Sequence, residues 1–147
     1  MTSVSHALIG ASIAARITNP WLAGATALVT HFVCDAIPHW DLGTNWRTRS
    51  RLITGLMAIG ETILAVTATF LIFRNFVNPN LLLISVFFSL VPDWAEVPYY
   101  ITLPDSPKIF QKIYQLQGVF HSKLNHPHGI ITQVLVVAAF LTVGFIL

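Results

Sequence analysis

Charge is what this sequence has least of. Asp, Glu, Lys and Arg make up only 10% of its 147 residues, against about 25% in ordinary soluble domains. A soluble fold of this size would have no way to hide the 54% that is hydrophobic, with a mean hydropathy of +0.69. The expectation is an integral membrane protein with one domain over residues 1–147. Cysteine is nearly absent: Cys34 stands alone, so no internal disulfide forms. The first 15 residues hold no Lys or Arg, so the positive region of a cleavable signal peptide is missing. No GxGxxG, GKS/GKT or GxSxG occurs, leaving dinucleotide, kinase and serine-hydrolase readings without support. Ser5-His6 and Cys34-Asp35 are neighbours in sequence, which is not triad geometry. No basic run interleaved with aromatics offers a nucleic-acid surface. Repeats, low-complexity tracts and long linkers are missing too.

What is there is a series of apolar runs. Ser3 and Ser5 can cap a first helix over Val4–Ile17, short for a full span, which Asn19-Pro20 stops. A second runs Trp21–Ile37. A third, Leu52–Phe73, carries Glu61 as its one charge. A fourth runs from Asn80 to about Tyr100, where Pro92 and Pro98 should break or kink it. The last, Ile130–Leu147, has no charge. Between the last two, Ser106-Pro107 reads as a helix start. Ile109, Ile113, Leu116 and Phe120 then share one stripe, as an amphipathic helix at the membrane interface would have. The expected fold is all-α: a small polytopic membrane bundle of four to five membrane segments plus that interfacial helix.

Arg47, Arg49 and Arg51 lie in the loop after the second segment, and Lys108, Lys112 and Lys123 in the loop before the last. The turn between segments three and four holds only Arg74. The positive-inside rule puts both basic loops in the cytoplasm of a bacterial-type inner membrane. That topology brings distant polar residues to one membrane depth: His31 and Asp35, Asp93 and Glu96, His6 if the first helix crosses, and His121, His126 and His128. Glu61 lies roughly 15 Å deeper at 1.5 Å per residue. An acid at that depth is a functional residue by default.

His31 and Asp35 are four apart and share a helix face. The pair offers a divalent metal one nitrogen and one carboxylate. With His6, Asp93, His121 and His126 the inventory suits Zn²⁺, with Mn²⁺ or Fe as alternatives. The chemistry this implies is metal-dependent hydrolysis of a lipid phosphoester, with Asp93, Glu96 or Asp35 as general base and Glu61 as a supporting acid. Two other readings stand beside it. One is a small transporter or proton relay built on Glu61, thin unless it is a homo-oligomer. The other is a non-catalytic scaffold in which a metal staples the helices. His39 and Asp41 rank lower, as an interfacial histidine and a cap or arginine partner.

The motifs "SHALIGASIA", "HFVCDAIPHWD", "SLVPDW" and the late histidines resemble the YdjM-like inner-membrane metal-dependent hydrolases. These in turn are similar to zinc-dependent phospholipase C and S1/P1 nuclease proteins in their helical His and Asp ligands. The resemblance implies that His6, Asp93 and the His31/Asp35 pair are ligands. The family's "HRGxTHS"-like stretch reads "HSKLNHPHG" here, which leaves His121, His126 and His128 as alternatives.

Overall fold

The computed structural model describes residues 1–44 and 46–146. They form six α-helices and one 3₁₀ turn, with no strand among the described residues. The helices are α1 (Ser3–Ala14), α2 (Pro20–Asp35), α3 (Arg51–Phe73), α4 (Pro79–Thr102), α5 (Lys108–Phe120) and α6 (His128–Ile146). Three of them, α3, α4 and α6, are long and apolar enough to cross a membrane. At about 1.5 Å per residue, α1 and α2 fall short of a bilayer core roughly 30 Å thick. The expected end of the last segment at Leu147 lies outside the described residues.

Small residues and caps decide the layout. Helix α1 ends at Ala14, short of the expected Ile17, so Asn19 does not stop it; the Asn19 side chain accepts from the amides of Trp21 and Leu22 and starts α2, with Pro20 in the first turn. Thr2, not Ser3 or Ser5, caps α1. Helix α1 is the hub, nearly all of it buried against α2, α3, α4 and α6. Its run of Ala, Gly and Ser permits this. A Cβ at Gly10 would lie 2.9 Å from Ser89 Oγ, and the Ser85 hydroxyl donates to Gly10 O at 2.6 Å. Gly144 of α6 meets Ser12 in the same way. Such contacts are how helices associate where lipid supplies no hydrophobic drive.

The outward faces are apolar. Leu52, Leu56, Ile63 and Leu71 of α3, Val29 and Val33 of α2, and Val134 and Leu135 of α6 are all exposed. Helix α5 presents Ile109, Leu116, Val119 and Phe120 outward and buries Gln117. Of the stripe read from the sequence, Ile109, Leu116 and Phe120 are exposed and Ile113 is half-buried.

Helix α4 corrects one expectation. Pro92 and Pro98 sit inside a continuous helix rather than breaking it. Helix α4 packs on α1 and α2. Pro92 has no N–H for the Phe88 carbonyl. One residue further on, the Ser89 carbonyl accepts from a histidine of α2. In membranes, neighbouring helices commonly use the groups that such a proline frees.

Candidate metal centre

The first turn of α1, the last turns of α2 and the middle of α4 meet at one end of the bundle. They bring His6, His31, Asp35 and Asp93 together. One ligating atom from each lies within 4.8 Å of all the others. His6 Nε2 is 3.0 Å from Asp35 Oδ1; His31 Nε2 is 3.4 Å from Asp35 Oδ2 and 3.7 Å from Asp93 Oδ1. The two imidazoles stack at 3.8 Å. The amino group of Met1 also contacts Asp35 Oδ1.

The hydrogen bonds fix what His31 presents. Its Nδ1 lies 2.8 Å from Ser89 O, which can only accept, so Nδ1 carries a proton. In the neutral ring Nε2 is then a lone pair aimed at two carboxylates. It is buried with no hydrogen-bond partner, as are His6 Nδ1 and Asp35 Oδ2. Buried polar atoms are rarely left so. A divalent cation among these atoms turns the mutual repulsion into coordination. A histidine whose second nitrogen donates to a backbone carbonyl is the usual form of a metal ligand. The donor set therefore fits a metal.

A second group, His39, Asp41 and His121, lies beside the first. After Pro38 the chain is extended, so His39 and Asp41, two apart, fall on one side. His121 follows the end of α5. Backbone hydrogen bonds bring the two stretches together: Ser122 N to Asp35 O at 2.9 Å, His39 N to Ser122 O at 3.1 Å and Leu124 N to His39 O at 2.8 Å. Gly129 lets α6 approach this seam; a Cβ there would lie 2.1 Å from Leu124 O and 2.8 Å from Trp40 N. His39 Nε2 is 3.0 Å from His121 Nε2, which is 2.6 Å from Asp41 Oδ2. Burial opposes ionisation of Asp41. The hydrogen bond from His121 and the charge of Lys123 at 3.6 Å outweigh it and hold the carboxyl well below the usual range.

Both groups open on one cavity of about 460 Å³, lined by Asp41, Asp93, Glu96, His121 and Lys123 among others. Asp93 faces it with its side chain 29% exposed and is steadied by Gln117 Nε2 at 3.3 Å. The Tyr100 hydroxyl donates to Glu96 Oε2 at 2.6 Å. Glu61 lines the far wall and accepts from the Ser3 amide at 2.7 Å, capping α1 from a neighbouring helix. An apolar groove of about 450 Å³ between α3 and α4, floored by Val86 and Leu90, shares Thr62 and Trp94 with the cavity. Trp94 Nε1 donates to Thr62 Oγ1 at 3.1 Å at that junction.

Of the expected ligands, the structure gathers His6, His31, Asp35 and Asp93, and puts His121 in the second group. His126 joins neither: it is exposed and packs on Trp40, ring centroids 4.5 Å apart. His128 is exposed at the start of α6. His39 and Asp41, ranked lower from sequence, are buried inside the second group. Asp41 pairs with His121 and Lys123 rather than with the arginines beside it. The alternation after Pro38 was the signal for them. Comparison with protein-family models, curated proteins and solved structures gives no match for this chain.

Proposed function

We propose that the chain is a membrane-embedded, metal-dependent hydrolase of a lipid phosphoester. The observation that carries this is His31 Nε2, buried, without a donor, and facing Asp35 and Asp93 at the edge of an open cavity. His6, His31, Asp35 and Asp93 would hold the ion, a set that suits Zn²⁺, with Mn²⁺ or Fe as alternatives. When bound, such an ion supplies Lewis acidity toward a phosphoryl oxygen and lowers the pKa of a coordinated water toward about 7. With Asp93 taken as a ligand, Glu96 is one carboxylate of the cavity left to accept a proton, Asp41 being engaged by His121 and Glu61 by the Ser3 amide. Tyr100 orients Glu96. Glu61 shapes the inner wall. Lys123 offers the rim a positive charge.

The lipid part of the reading rests on the groove. It lies between two helices fit to span a membrane and adjoins the cavity at Thr62 and Trp94. In this account α3, α4 and α6 cross the bilayer, α2 is a shorter fourth segment, and α1 a fifth enclosed by the rest. The basic loops support a site on the cytoplasmic side of an inner membrane.

Elemental analysis of the detergent-purified protein tests it. Wild type should carry at least one divalent transition metal per chain, and His31→Ala with Asp35→Ala should lose it. A metal-free wild type, or equal content in both, contradicts the reading.

A further inference from the structure

The second group need not be only a support for the first. We propose that His39, Asp41 and His121 bind a second divalent metal ion, with Asp35 bridging the two sites. The inference rests on the ion proposed for the first cluster but not on the hydrolytic reading.

Tautomer assignment carries the argument. His39 Nδ1 lies 2.8 Å from Ile37 O, so it donates there. Nε2 is then the lone-pair nitrogen of the neutral ring. It is fully buried and points at His121 Nε2 3.0 Å away, with Asp41 Oδ2 and Asp35 Oδ1 each at 3.7 Å. Two imidazole nitrogens this close must have something positive between them. A proton on His121 Nε2, shared with Asp41, is the minimum. A metal ion satisfies more: it takes both nitrogens and the Asp41 oxygen at once, with two His and one carboxylate, as in sites that leave a position open. His39 donates to a backbone carbonyl just as His31 does, and both therefore present Nε2.

Asp35 joins the groups. Oδ1 faces His6 Nε2 and His39 Nε2; Oδ2 faces His31 Nε2 and His121 Nδ1, the last at 3.9 Å. It is the one carboxylate among the described residues with oxygens within 4 Å of histidines from both groups. Two-metal sites in hydrolases hold their ions about 3.5–4 Å apart, and carboxylates shared between two ions set such distances. Charge bears on the second group in particular: the Met1 amino group already contacts Asp35 Oδ1, whereas buried Asp41 has only Lys123, 45% exposed, as a weak counter-charge.

The test uses the full chain in detergent, stripped by chelator and titrated with Mn²⁺ alone. Metal content and the electron paramagnetic resonance spectrum are read together. Two Mn²⁺ per chain with an exchange-coupled spectrum are expected. His39→Ala with Asp41→Ala should drop the content to one and give the six-line spectrum of an isolated ion. Retention of the first ion also reports that this variant is folded. If it does not fold, His121→Ala, at a partly exposed position, should give the same change. A wild type that saturates at one uncoupled ion would mean that a proton fills the second group, and overturns the proposal. So does a variant that keeps two ions. No uptake at all overturns this proposal and the first site together. Two coupled ions without hydrolysis would leave it standing and remove only the hydrolase.

Discussion

At the scale of single residues, Gly129 shows how position can matter without chemistry. It has no ligating atom, yet it lets α6 lie against the 39–40 backbone and the Leu124 carbonyl. Trp40 N donates to Gly129 O across this contact. In Gly129→Ala a methyl group must push the seam apart, since its neighbours there are backbone atoms and have no rotamer to change. The expected cost is about 1–3 kcal/mol, the range for overpacking a tight site. The variant should melt earlier, followed by near-ultraviolet circular dichroism. A melting point equal to that of wild type would mean that the seam yields freely. The His31/Asp35 pair was legible in the sequence because four-residue spacing on a helix is a local rule. His39 and Asp41 were undervalued because their partner, His121, lies eighty-two residues away from His39. No local pattern encodes the Ser122 and Leu124 backbone bonds that bring it back.

At the scale of elements, apolar runs and caps located the helices to within a few residues, because length and composition decide insertion. They misjudged α4. Proline rules apply to a helix standing alone, whereas α4 packs on α1 and α2, and its Ser89 carbonyl accepts from His31. The same helix makes one wall of the groove. Leu83, half-exposed on that wall, can be enlarged without filling the core. Leu83→Trp should block a lipid chain from lying between α3 and α4 while leaving the metal cavity open. Hydrolysis of a long-chain phospholipid should fall by about tenfold or more, and hydrolysis of a short soluble phosphodiester should stay within about twofold. This assumes that chain burial contributes one or more kcal/mol of binding. An equal loss on both substrates would show that the groove holds no chain.

At the scale of the whole molecule, the unusual feature is where the polarity is kept. A chain this apolar gathers most of its histidines and acids at one end of the bundle. Asp35 and the three histidines His6, His31 and His39 lie there almost wholly shielded from solvent. Burying so many titratable groups costs stability unless a cation or proton compensates them. A merely structural role would need no cavity beside them, and no apolar groove adjoining it. These two openings are what favour chemistry over a staple.

The measurement that bears most directly on this account is release of phosphorylated headgroup from vesicles carrying headgroup-labelled phospholipid. It compares metal-loaded wild type, chelated wild type, and His31→Ala with Asp35→Ala. Turnover by the loaded wild type, abolished by chelation, restored by adding back Zn²⁺ or Mn²⁺, and missing in the double variant is the predicted result. Headgroup release that survives chelation or the double substitution, or none from loaded protein with any headgroup supplied, would contradict it.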